Sequence, residues 1–334
     1  MKLLIVTQKV DATDSNLGFF IGWIEKFAKY ADITVIANEV HTDAGNYTPK
    51  NVSLFSLGKE KGASRSARIF RYQKLLWQTL PRVDGIFFHM CPEYVLAANF
   101  IPKLFRKKSI LWYTHKEVSR RLRMAALLVN KIFTASKESC RLSSKKIEVV
   151  GHGIDIDFFR PMDPQATHPV ALRLLTVGRI SPVKDLKTLI GGFLKLKKLL
   201  PAISLRLAVL GKPITETDTQ YAKELKRLVP DAKDVFWGDA YHNHVREFYI
   251  GVGNGIPVLI HASKTGSLDK APLEALAAGL PVFTSSEAFS GEIPGVTKFE
   301  AGNPNDLAEK IAGAFERGEI SYNEAGREWV RKQH

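Results

Sequence analysis

In KTGSLDKAPLEALAAGLP, residues 264–281, a glycine, a serine, an aspartate and a lysine precede a helix whose expected first turn carries an acid, Glu274. Pro272 suits a first helical turn, where no backbone donor is lost. The N–H groups and positive dipole end of such a terminus attract an anion. A carboxylate there repels phosphate but accepts hydrogen bonds from sugar hydroxyls beside it. The plainer reading is a carboxylate that complements the helix dipole. In VGRISPVKD, residues 177–185, Arg179 and Lys184 flank a Ser-Pro turn after a strand ending at Gly178. Arg offers a planar fork and Lys a point charge, together a grip for a diphosphate; isolated loop cations are otherwise simply solvated. In GHGIDIDFFRP, residues 151–161, Asp155 and Asp157 have the spacing of an Asp-x-Asp metal motif. They lie in an expected linker instead of following a strand, so no metal is assigned to them.

These segments need elements to hold them. LLIVTQ (3–8), ITVIAN (33–38), GIFFHM (85–90), ILWYTH (110–115), KIFTAS (131–136) and KIEVVG (146–151) read as buried parallel strands. Helical stretches such as FFIGWIEKFAKYA (19–31) lie between them. The pattern restarts at LRLLTVGR (172–179) and continues through LRLAVLGK (205–212), DVFWGD (234–239), IPVLIHAS (256–263) and LPVFTSS (280–286). The alternation predicts an α/β fold with two Rossmann-like domains, 1–150 and 170–315. A proline-containing linker, 151–169, joins them, and a helical segment follows at 316–334. Two such domains facing across a cleft bind ligands at the carboxyl ends of their strands.

The 334 residues carry a formal net charge of +14, unevenly spread. Residues 1–160 hold 26 Lys and Arg against 14 Asp and Glu, and the rest hold 22 against 20. An anionic partner is therefore expected for the first half alone: nucleic acid, anionic lipid or a phosphorylated substrate. A merely soluble basic surface is the plain alternative. In ASRSARIFRYQKLLWQTL (63–80), Arg65, Arg68, Arg71 and Lys74 recur every third residue, with Ile69, Phe70, Leu76, Trp77 and Leu80 expected opposite them. This is the pattern of a helix on an anionic membrane surface, or equally of a core helix with a solvated basic face. KLFRKK (103–108) and SRRLR (119–123) add further cations. Cys91 and Cys140 read as free thiols of a reducing compartment, without metal-ligand spacing. The first apolar run is too short for a signal peptide, and none approaches the roughly 20 residues of a membrane span. The expected location is cytoplasmic, or peripheral on the inner face of the membrane.

In this order and spacing the segments resemble the GT-B retaining glycosyltransferases, the group 1 family that includes bacterial mannosyl- and glucosyltransferases of cell-envelope assembly. The linker pattern N-G-V-D-x-x-x-F-x-P is matched by His152, Gly153, Ile154, Asp155, Phe159 and Pro161. The pattern V-G-R-x-x-x-x-K-G is matched by Val177, Gly178, Arg179 and Lys184, with Asp185 where glycine is usual. The second glutamate of E-x7-E and the following A-x-G-x-P-V are matched by Glu274, Ala278, Gly279, Pro281 and Val282; the first glutamate is replaced by Gly266. The resemblance covers nearly the whole chain. It implies a GT-B architecture and metal-independent transfer of a hexosyl group, with retention, from a UDP- or GDP-sugar to a lipid-linked or saccharide acceptor. No cofactor is implied beyond that donor. Arg179, Lys184 and His115 take the catalytic roles. Gly18, Gly178, Gly266, Ser267, Asp269, Lys270 and Glu274 line the donor. An acceptor or membrane face includes Arg65, Arg68, Arg71, Lys74 and Trp77. Only Gly18 remains of a usual glycine pair, and the chain stops at REWVRKQH, where the family's closing helix is expected to be starting or incomplete. Other readings are a nucleotide-sugar-binding protein without turnover, a nucleotide-sugar epimerase of the same fold, and a basic nucleic-acid-binding protein. The last lacks any RNP-like, helix-turn-helix or zinc-finger pattern, so nucleic acid is not an expected partner.

Overall fold

The computed structural model describes residues 1–14, 17–41, 49–160, 171–229, 231–240, 242–250, 257–264, 266 and 268–334. The chain divides into two compact units, Met1–Val150 and Gly151–His334. The expected linker residues 151–160 belong to the second unit, and 161–169, with Pro161, lie outside the described residues.

The first unit contains β1 (Lys2–Val10), α1 (Phe20–Ala28), β2 (Asp32–Val40), β3 (Val52–Ser56), α2 (Arg65–Thr79), β4 (Gly85–His89), α3 (Pro92–Ala98), α4 (Ile101–Leu104), β5 (Lys108–Trp112), α5 (Arg120–Leu128), β6 (Lys131–Thr134) and β7 (Ile147–Val149). Its sheet runs β3-β2-β1-β4-β5-β6-β7, with every pair parallel. Leu4, Ile5 and Val6 are buried in succession, as befits a central strand covered on both faces. The edge strand β3 escapes an apolar-run search because VSLFS alternates with serine and stays half exposed. Right-handed crossovers put α1 on one face and α2 to α5 on the other. The first face sets Trp23 edge-to-face against Trp112, 5.1 Å between ring centroids; on the second, Tyr72 Oη donates to Tyr94 O at 3.0 Å.

Helix α2 departs from the sequence expectation. It is buried through Tyr72 and Leu76, whereas Phe70 is 75% exposed and Trp77 50% exposed. At 100° per residue Phe70 and Trp77 lie nearly opposite Tyr72. A three-residue spacing falls about 60° short of a full turn at each step, so the four cations spiral around the helix instead of sharing a face. Arg68 is thereby carried inward, where it donates to Asn38 Oδ1 at 2.6 Å, and Arg71 donates to Leu57 O at 3.2 Å.

The second unit contains β8 (Ala171–Val177), α6 (Leu186–Leu199), β9 (Ser204–Leu210), α7 (Glu216–Arg227), β10 (Val235–Gly238), α8 (His242–Ile250), β11 (Pro257–His261), α9 (Lys270–Ala277), β12 (Val282–Thr284), β13 (Val296–Lys298), α10 (Pro304–Glu316) and α11 (Glu324–Gln333). The sheet order is β10-β9-β8-β11-β12-β13, again with every pair parallel. Both units are thus Rossmann-like. The strand order reverses between β8 and β11, the place where open parallel sheets take their ligands. Helix α11 buttresses α9: Arg327, buried, donates to Ala277 O, and Asn323 N donates to Gly279 O at 2.9 Å. No described helix is long and apolar enough to cross a membrane.

Candidate functional site

At the end of β8 the chain turns through Gly178, φ +143°. Gly211, just after β9, presses so close that a Cβ there would lie 1.9 Å from Gly178 O. Ile180 N donates to Lys212 O at 3.1 Å, lacing the two loops together. A single 3-10 turn, Pro182–Lys184, follows, and Asp185 enters the left-handed region at φ +44°. Asp tolerates that conformation better than most side chains. Here its carboxylate also accepts from Thr188 Oγ1 at 2.8 Å and lies 3.3 Å from Lys264 Nζ. Those bonds account for an aspartate where the family pattern has glycine.

Lys184 Nζ is thereby delivered to Asp269 Oδ2. The same oxygen accepts from His261 Nε2 at 2.7 Å, and His261 Nδ1 lies 2.9 Å from Thr284 Oγ1. An ionised carboxylate only accepts, so Nε2 carries the imidazole proton and the Thr284 hydroxyl donates to Nδ1. Thr284 Oγ1 in turn accepts from Ser286 N at 3.1 Å. Burial works against the Asp269 charge, but Lys184 and the His261 hydrogen bond hold its carboxyl well below the usual range. Burial also outweighs Asp269 at His261 and lowers the imidazole. Asp269 is the N-cap residue of α9 and makes no side-chain capping bond.

Glu274 stands in the second turn of α9 and not the first, because the extended backbone of Asp269 delays the helix to Lys270. It is partly buried, and its carboxylate makes no hydrogen bond or ion pair among the described residues. Lys270 is one turn earlier on the same side of the helix. Burial drives the Lys270 ammonium down and the Glu274 carboxyl up, each opposed by the other's charge. Tyr249 Oη steadies the helix start by donating to Ala271 O at 3.1 Å. Gly266 is buried with φ +63°, and Ser267 lies outside the described residues.

Arg179 projects from the same strand end, 41% exposed, its Nε 3.9 Å from Asp218 Oδ2 in the capping box of α7. A cavity of about 620 Å³ opens between the 182–185 turn and α7, lined among others by Lys187, Glu216, Tyr221 and Lys264. It does not include Lys184, Asp269 or Glu274. His152 Nε2 donates to Leu268 O at 2.6 Å, tying residues 151–160 to the loop ahead of α9. Asp155 Oδ1 accepts from Phe158 N at 3.2 Å, a local turn. No group of three or more His, Cys, Asp or Glu is placed to hold a metal among the described residues.

In the first unit, β5 ends at Trp112, so His115 stands in the exposed loop beyond the strand it was expected to end. Its Nδ1 accepts from Glu117 N at 3.2 Å. Gly18 allows a close turn: a Cβ would sit 2.5 Å from Asp14 O. Both cysteines are free, and burial pushes the Cys91 thiol up to about 11.

Two groups of residues escaped the sequence reading. His261 and Thr284 have a legible signal, a polar side chain closing an otherwise apolar strand. The other group is an ion cluster at the ends of β1 and β2. Lys9 Nζ lies 2.9 Å from Asp14, 3.2 Å from Asp11 and 3.3 Å from Glu39, and Glu39 also meets His41 and Lys59. The His41 hydrogen bond and the lysine charges overcome burial and hold Glu39 near about 2. Scattered charges in a sequence do not announce such a meeting.

Residues 171–317, within the second unit, match the family model described as Glycosyl transferases group 1. A search of curated proteins found no match. Among solved structures, HepE of Anabaena in complex with UDP aligns at a TM-score of 0.74 and 15% identity, over 100% of this chain and 95% of that one. A glycosyltransferase of Rickettsia africae aligns at 0.72 and 14%, over 99% and 94%. A UDP-GlcNAc 2-epimerase of Methanocaldococcus jannaschii aligns at 0.57 and 13%, over 99% of both. At these identities the likeness shows the GT-B fold.

Proposed function

We propose that the chain is a glycosyltransferase that moves a hexosyl group from a nucleotide diphosphate sugar to an acceptor hydroxyl. The observation that carries this reading lies within the matched residues. It is a partly buried Glu274 carboxylate, free of bonds to described residues, one turn inside a helix whose N-cap residue is joined to Lys184. Lys184 and Arg179 take the diphosphate, and Glu274 accepts from the ribose hydroxyls. As the glycosidic bond to phosphate breaks, the two cations and the positive end of α9 stabilise the developing negative charge. These groups supply the countercharge without a metal or cofactor. Uridine is favoured as the base by HepE, solved with UDP and with UDP-glucose. Retention, and the roles of His115 and Gly18, rest on the family resemblance alone. We assign the acceptor to the lipid-linked or saccharide components of the cell envelope, and the chain to the cytoplasm or the inner membrane face.

A thermal-shift screen against UDP, GDP, ADP and their sugar conjugates tests the donor site, because a ligand of the native state raises the melting temperature. One nucleotide should give a shift that Glu274→Ala abolishes. Absence of any shift in the unaltered protein refutes the reading. A binding protein without turnover is the second reading, favoured by Gly266 standing where the family pattern has an acid. It is distinguished by donor binding without release of nucleoside diphosphate in the presence of acceptors.

A further inference from the structure

Aspartate is among the preferred N-cap residues because its carboxylate accepts the N–H groups of the first helical turn. Asp269 occupies that position on α9 but is turned onto Lys184 and His261 instead. We infer that His261 is a positioning residue: anchored by Thr284, it draws the Asp269 carboxylate off its own helix and onto Lys184. The inference rests on the donor-site reading above and adds two residues with no assigned part in it, His261 and Thr284.

The physical reason is competition between anions. A carboxylate capping α9 and a donor phosphate would seek the same backbone donors, and two negative charges repel at that range. With Asp269 held aside, the helix terminus keeps its attraction for the donor. Lys184 has three N–H donors. The Asp269 contact occupies part of that capacity and fixes the long side chain, so the remaining donors need no further ordering when the diphosphate arrives. His261 is suited to the task because its direction is doubly specified. It is buried, it donates from Nε2, and a hydroxyl donating to Nδ1 keeps the proton on Nε2.

Calorimetric titration of UDP, or of whichever nucleoside diphosphate stabilises the protein, tests the inference in four forms: unaltered, H261L, H261Q and H261L/D269A. H261L removes the N–H and should weaken binding roughly tenfold or more, the worth of a hydrogen bond to a charged group. H261Q retains a side-chain N–H at similar reach and should stay within about threefold of the unaltered protein. The double variant should bind more tightly than H261L, because no carboxylate is left to cap α9. Losses that merely add in the double variant, or unchanged binding by H261L, overturn the inference. Should H261L fail to fold, T284V against T284S decides: loss in the valine variant alone supports the arrangement, and equal binding by both overturns it. If the unaltered protein binds no nucleoside diphosphate, the donor-site reading falls, and this inference with it.

Discussion

His152 is buried, and burial together with the Lys270 charge lowers its imidazole from 6.5 to about 4. It donates to Leu268 O in its neutral form. In the unfolded chain the same group takes a proton near 6.5, so below that value the unfolded state binds more protons and stability falls with pH. Between about pH 6.5 and 4 this residue removes on the order of 3 kcal/mol. Urea midpoints measured across that window should decline with falling pH, and His152→Gln should flatten the slope. An unchanged slope in the variant shows that other groups govern it. His152 stands in the quoted linker motif, but its carbonyl partner belongs to a loop 116 residues away, which no local pattern names. Asp185 is the converse case. Its departure from the family's glycine was plain in the sequence, and the Thr188 and Lys264 contacts give the reason.

The loop pair at the ends of β8 and β9 shows how elements place the candidate cations. Gly211 combines φ +155° with the 1.9 Å approach to Gly178 O, a backbone atom that cannot rotate aside. Gly211→Ala should cost about 3 kcal/mol or more, from strain and overpacking together. Chemical denaturation measures the cost, and a loss below about 1 kcal/mol contradicts the packing described. Nucleotide affinity should fall with it, since the displaced turn carries Arg179 and Lys184. The central strands were legible because unbroken apolar runs mark strands buried on both faces. The edge strands β3 and β13 were not, being short or alternating and half exposed. Helix α2 was legible as a helix but not by its faces. Its exposed aromatics and its inward Arg68 follow from which side meets the sheet, and composition does not state that.

Helices α2 to α5 of the first unit carry eight Lys and Arg against one acid, Glu93, which pairs with Arg121 at 2.8 Å. Phe70 on α2 and Leu127 on α5 are about three-quarters exposed on this face. With Arg68 and Arg71 engaged internally, Arg65 and Lys74 are the α2 cations to reverse. In the membrane-face reading, R65E/K74E should reduce binding to anionic vesicles roughly tenfold or more, at about 1 kcal/mol per charge near the surface. Added salt should weaken the unaltered protein in the same direction. Equal vesicle binding by variant and unaltered protein in sedimentation sinks that reading. The two runs of strands, the basic first half, and the cation and carboxylate segments of the second half were set by the amino-acid sequence alone. Periodicity, charge and turn chemistry are local properties, and a chain displays them without folding. Only the tertiary structure decided that Lys184 meets Asp269 across 85 residues, and that His261 and Thr284 stand behind the pair. Those contacts exist because β11 lies beside β8 and β12 beside β11. Sheet order is a non-local outcome of packing, and no window of residues contains it.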